Sequence, residues 1–131
     1  MSEYKLTRDD LERAARVVYQ TLGLTPQFAW PLLGAELNAD VWVKHENFTP
    51  TGAFKVRGGL VYFHELLAAG PRPAGVISAT RGNHGQSVGY AARKNKVAAT
   101  IVVPHGNSLE KNAAMRASGN PTPSLCCGGC G

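Results

Sequence analysis

Cysteine is almost absent: the three in the chain, Cys126, Cys127 and Cys130, all stand in the last six residues. A disulfide scaffold is therefore not expected, and thiols so crowded lack the four-ligand spacing of a zinc site. Long apolar runs are also lacking. None approaches the roughly 18 residues that cross a bilayer, and the opening "MSEYKLTRDDLERAARVVYQ" is charged where a signal peptide would be apolar. The expectation is a cytoplasmic chain with no membrane partner. Runs of one charge are missing too. The formal charge is +5, but Lys and Arg are scattered from Lys5 to Arg116 without interleaved aromatics, so no nucleic-acid surface is expected. An anionic small molecule is the better use of that charge. His45, His64, His84 and His105 stand singly, without metal-ligand spacing, and no metal is expected.

What is present is ordinary globular material. The 131 residues, 44% hydrophobic and 18% charged, suffice for one domain around a single core. "TRDDLERAARVVYQTL" places Leu11, Ala14, Ala15 and Val18 at helical spacing behind Thr7. Asp10 three residues on makes a capping box, so a docked surface helix is predicted. "TPQFAWPLLGAELNAD", with two prolines and several turn residues, reads as a connecting loop, and "VWVKHE" alternates as a strand. Helical spacing returns in "FKVRGGLVYFHELLAAG" and stops at Gly70. "AGVISA" is a strand and "GQSVGYAARKN" a helix. "VAATIVVP" is apolar enough for a parallel strand buried on both faces, and Ser108 caps a helix in "SLEKNAAMRAS". Repeated strand and helix units define the fold class as α/β: an open, mostly parallel sheet flanked by helices.

In such sheets ligands sit beyond the carboxyl ends of strands, where loops enter helix N-termini. Two loops qualify. The first, within "KHENFTPTGAFKVRGG", sets Lys55 behind a tight Thr-Gly-Ala turn, among Ala53, Phe54 and Val56. Those neighbours predict a partly buried amine, and a desolvated amine is a nucleophile. The second, "SATRGNHGQS", enters its helix through Gly82 and Gly85, whose lack of a side chain lets backbone N–H groups approach an anion at the positive end of the helix dipole. Asn83, His84 and Gln86 add hydrogen-bonding side chains in the same turn. A nucleotide P-loop is a poorer reading: "PTGAFKVRGG" lacks the glycine spacing and has Val56 where that motif needs Ser or Thr.

Taken in order, "KHENFTPTGAFKVRGG", "SATRGNHGQS" and "ATIVVPHGNSLEKNAAMRA" resemble the threonine/serine dehydratase family of fold-type-II pyridoxal-phosphate enzymes, which also holds serine racemase. The resemblance runs from about Leu6 to Arg116. It implies a tryptophan synthase β-like fold, present here in part, and pyridoxal 5'-phosphate as cofactor. By match to the pattern, Lys55 is the lysine that bonds the cofactor, with Phe54 beside it and Asn83 meeting the oxygen on its pyridine ring. Thr80, Gly82, Asn83, His84 and Gln86 match the loop that cradles the substrate carboxylate. The implied reaction is elimination of water from a hydroxyamino acid followed by hydrolysis, which releases ammonia and leaves a keto acid, in a full-length form that is a homo-oligomer.

Arg81 departs from the pattern. It stands two residues before Asn83, where racemising relatives carry a serine on the opposite face of the substrate, which argues against racemisation. Arg81 would instead pair with a second substrate carboxylate or face solvent. Ser78 and Ser87 read as turn and cap residues. The family's glycine-rich phosphate cup has no counterpart in the sequence. Residues 1–117 therefore read as the amino-terminal part of such an enzyme, and 118–131, "SGNPTPSLCCGGCG", as an out-of-register or disordered tail. The alternative is a non-catalytic fragment with a partial cofactor site. On either reading the chain alone is not expected to turn over substrate.

Overall fold

The computed structural model describes residues 5–118, and the backbone of 124–127 as a strand. Helix α1 (Arg8–Tyr19) starts at the predicted capping box. The Asp10 N–H donates to Thr7 Oγ1 at 3.2 Å, and the Thr7 N–H donates to Asp10 Oδ2 at 2.9 Å. Its apolar stripe is only half docked, since Val18 is buried while Leu11 is 70% exposed.

The segment predicted as one loop holds two elements. Strand β1 (Gln27–Ala29) pairs antiparallel with β2 (Trp42–Lys44), which is shorter than the Val41–Glu46 predicted, in register Phe28 to Val43. Between them, α2 (Pro31–Leu37) uses its proline where a helix leaves an N–H unbonded anyway, and it ends on Asn38 in the left-handed region. The prolines that signal a loop in the sequence include a helix start.

Helix α3 (Lys55–Ala68) begins at Lys55 and buries Val56, Leu60 and Phe63. Strand β3 (Gly75–Ala79), helix α4 (Asn83–Lys94), strand β4 (Ala98–Val103), helix α5 (Leu109–Ser118) and strand β5 (Ser124–Cys127) then form a parallel sheet in the order β3-β4-β5. This is the predicted α/β fold with a mostly parallel sheet. Ser108 Oγ accepts the Lys111 N–H at 3.3 Å, capping α5 as expected.

One core joins these parts: Val18 and Leu22 below α1, the inner face of α3, Val88, Ala91 and Ala92 of α4, Ile101 and Val103 of β4, and Met115 of α5. Strand β4 is not buried on both faces as its composition predicted. Ala99, Ile101 and Val103 are buried, whereas Ala98 is exposed and Thr100 and Val102 are half-buried. Helix α4 packs on the inner face; the other has no comparable cover among the described residues.

Composition predicts no packed element in residues 118–131, yet 124–127 add to the edge of β4 with Thr100 opposite Ser124. "SLCC" contains no charge or proline, so nothing prevents its pairing with the free backbone groups of that edge. Ser118 ends α5, and residues 119–123 and 128–131 lie outside the described residues.

Candidate active site

The turn ahead of Lys55 is built from two threonines and a glycine. Thr49 Oγ1 donates to the Ala53 carbonyl at 2.8 Å and accepts the Ala53 N–H at 3.0 Å, while Thr51 Oγ1 reaches the same carbonyl at 3.3 Å. Gly52 closes the turn at φ +63°, a region that side chains with a Cβ resist. Thr49, Thr51 and Ala53 are buried, and the chain emerges from them straight into α3.

Lys55 does not have the partly buried amine that its neighbours suggested. Ala53 and Val56 turn into the core, and the residues between them face outward: Phe54 and Lys55 are both exposed. The Lys55 Nζ lies 5.2 Å from the centre of the Phe54 ring, within cation–π range.

Lys55 opens on a cleft of about 400 Å³, shared with Gly58, Gly59, Tyr62, Ser78 and His84. The two predicted loops therefore meet at one place. Ser87 is not a cap but a residue inside α4. It is buried, and its Oγ donates to the Lys55 carbonyl at 2.7 Å, tying the second motif to the root of α3. Gly59 makes this possible, because a Cβ there would lie 2.3 Å from Ser87 Oγ and 2.9 Å from the Ser87 carbonyl oxygen.

The second loop divides. His84 faces the lysine cleft, while Thr80 and Arg81 line a separate hollow with Val102 and Pro104. The Thr80 N–H donates to the Val102 carbonyl at 2.9 Å, and Thr80 Oγ1 accepts the Gly82 N–H at 3.3 Å. Asn83 is exposed as the first residue of α4, Gly82 caps it, and Gln86 is half-buried with its N–H on the Gly82 carbonyl. Gly85 serves packing rather than ligand approach. A Cβ there would lie 2.4 Å from Met115 Sδ and 2.6 Å from Thr80 Cγ2.

An ion pair absent from the sequence-based expectations completes the neighbourhood. Arg57 Nε donates to Glu46 Oε2 at 2.7 Å and Arg57 Nη2 to Glu46 Oε1 at 2.9 Å. Hydrogen bonding from Arg57, helped by Thr25 and opposed by burial, lowers the Glu46 pKa from its ordinary 4.5 to about 2. The same bond from Glu46 raises that of Arg57. Opposite charges eleven residues apart, flanking the Lys55 motif, were the available signal.

The parts present fit a pyridoxal-type cofactor. A primary amine opens on a cleft within the size range of small-ligand sites, and the first-turn N–H groups of α4, free of partners within their own helix, lie beside it. The fold and this arrangement define an α/β protein that presents a lysine at the root of a helix toward a polar strand-to-helix loop. The chain belongs to the pyridoxal-phosphate dependent enzyme family, which residues 18–122 match.

Serine racemase of Bos taurus is 32% identical over 119 residues, 89% of this chain and 36% of that protein. L-threo-3-hydroxyaspartate ammonia-lyase of Pseudomonas sp is 38% identical over 110 residues, 84% of this chain and 34% of that protein. The crystal structure of a threonine deaminase from T.th. superposes with a TM-score of 0.77 at 31% identity, covering 96% of this chain and 38% of that one. The chain thus spans about a third of the length of the relatives it matches. Pyridoxal 5'-phosphate is the family's cofactor, and the relatives include both lyases and racemases. Among the described residues, no helix is long and apolar enough to cross a membrane.

Proposed function

We propose that this chain is the amino-terminal part of a lyase that eliminates water from a small hydroxyamino acid of the threonine or serine type, after which hydrolysis by one water releases ammonia and leaves a keto acid. Residues 1–117 carry that part, in a full-length form that works as a homo-oligomer in the cytoplasm. The observation that carries the reading is the convergence of Lys55 and His84 on one cleft, with Ser87 joining their two helices.

Pyridoxal phosphate, when bound, supplies an electron sink for negative charge developing at the substrate Cα. Lys55 would hold it, and the Lys55 Nζ would take the proton from the substrate Cα. Asn83 would meet the cofactor ring oxygen. His84, Gln86 and the backbone N–H groups from Asn83 onward would bind the substrate carboxylate at the positive end of α4, with Thr80, which accepts the Gly82 N–H from the neighbouring hollow, joining them only if the loop closes.

Arg81 sits on the Thr80 side of the loop, not in the lysine cleft. It is assigned to a second substrate carboxylate only if that loop closes over the ligand. The resemblance to an L-threo-3-hydroxyaspartate ammonia-lyase, whose named substrate carries a second carboxylate, favours testing it.

The test is release of keto acid and ammonia from L-serine, L-threonine and L-threo-3-hydroxyaspartate by the full-length protein carrying this sequence. Lys55→Ala should abolish release from all of them. Undiminished release would refute the assignment. A product that is only the D-amino acid would replace the lyase reading with a racemase.

A further inference from the structure

Lys55 is exposed, and the long stem of an exposed lysine samples many directions. Something must therefore hold the root of α3 at a fixed angle if that amine is to serve a single site. The structure shows two anchors, one on each side of it.

On one side, Ser87 holds the Lys55 carbonyl. On the other stands the Arg57–Glu46 pair, whose side chains retain only 22% and 20% of their accessibility. Glu46 opens the short 3-10 turn Glu46–Phe48, and Arg57 lies in the first turn of α3. The pair thus closes the segment that contains the Thr49–Ala53 turn, Phe54 and Lys55. It is itself held in place. Thr25, buried, donates from Oγ1 to Glu46 Oε1 at 2.6 Å, and Lys44 Nζ donates to the Thr25 carbonyl at 3.2 Å. The Arg57 guanidinium lies 5.9 Å from the centre of the Tyr19 ring on α1.

Helix geometry gives these contacts their consequence. Residues two apart on a helix point to nearly opposite sides, so fixing Arg57 on one side turns Lys55 to the other. The hollows agree. Arg57 lines an apolar groove between α1 and α3, while Lys55 lines the cleft with His84. A planar fork bound at two points also resists rotation about the helix axis, which a single point contact would not.

We propose that Arg57, locked by Glu46 and Thr25, is a positioning residue that sets the direction of the Lys55 amine without touching substrate or cofactor. The proposal rests on the functional reading above, in that it takes Lys55 as the cofactor lysine.

The test measures where added pyridoxal 5'-phosphate attaches in the 131-residue chain. A lysine nitrogen condenses with the aldehyde carbon, releasing water, and borohydride then delivers hydride to that carbon, fixing the link as a secondary amine. Peptide mapping gives the attachment rate at Lys55 relative to Lys94, Lys96 and Lys111 in the same molecules, under conditions where circular dichroism shows each variant as fully folded as the native chain. The native chain should favour Lys55. Arg57→Ala should lower the ratio about tenfold, Glu46→Gln several-fold, and Arg57→Lys should restore only part of it. Should Arg57→Ala not fold, Glu46→Gln, which keeps size and shape, decides alone. A native preference for Lys55 that persists in the folded variants would overturn the positioning role and leave the functional reading standing. No native preference for Lys55 would overturn the functional reading itself, and this inference with it.

Discussion

At the scale of single residues, Glu46 carries the largest electrostatic consequence. Its carboxyl titrates near 2 in the folded chain and near its ordinary 4.5 when unfolded. A depressed folded pKa contributes stability that is complete above the unfolded value and disappears as pH falls through the folded one. The size is about 2 kcal/mol, discounted for the fifth of each side chain that water still reaches. Denaturant titrations should therefore show stability falling between about pH 4.5 and 2, with Glu46→Gln flattening that part of the profile. An unchanged slope in the variant would show that the pair does not couple to folding. Lys55 teaches the complementary lesson. Its place at the root of a helix was legible from the Thr-Gly-Ala turn, but its exposure was not. Apolar neighbours in a chain do not share a direction: Ala53 and Val56 go inward, and Phe54 and Lys55 do not.

At the scale of elements, two glycines decide how closely the site's helices approach. Gly59 lets α3 rest on Ser87 of α4, and Gly85 lets the start of α4 sit on Met115 and Ile101. Alanine at either position forces a shift of atoms already in contact, some of them backbone in the case of Gly59, and should cost about 1–3 kcal/mol, read as a lower urea midpoint at unchanged slope. Gly59→Ala should also slow pyridoxal phosphate attachment at Lys55, because it separates the lysine carbonyl from Ser87. A midpoint within error of the native value at both positions would show that the helices are less tightly seated. The order of α1, α3, β3, α4, β4 and α5 was legible because periodicity, caps and glycines agreed in each. The β1–α2 stretch was not, although β2 was read from the alternation of "VWVKHE". Strand β1 is three residues long, too short for alternation to register, and Pro31 signals a helix start and a loop equally well. The strand at 124–127 was missed for another reason: its pairing depends on the edge that β4 offers, not on its own composition.

At the scale of the whole molecule, the outer surface is unusually apolar in places. Leu32, Trp42, Phe54, Tyr62 and Ile77 are all more than half exposed, and Ile77 lies in the middle of a strand whose partner face has little cover. The relatives are about three times as long as the stretch they share with this chain. Exposed apolar surface of this kind marks interaction sites or aggregation liability. The 131-residue chain should therefore bind hydrophobic dyes, associate as concentration rises in sedimentation velocity, and release no ammonia from serine or threonine. A dye-silent monomer that turns over either amino acid would contradict this picture. The parallel sheet and the meeting of the two motifs were legible because local signals and topology point the same way. Their angle to each other was not, because it depends on Ser87 and Arg57, which make contacts far away in sequence.

The central claim is that Lys55 is the residue this fold presents to the cofactor, and one measurement reaches it directly. The chain is incubated with pyridoxal 5'-phosphate, reduced with borohydride and digested, and the labelled peptides are sequenced. The account predicts a dominant label on the peptide containing Lys55, lost in Lys55→Ala with the remaining lysines unchanged. A dominant label on Lys44, Lys94, Lys96 or Lys111, or an even spread that Lys55→Ala leaves intact, would contradict it.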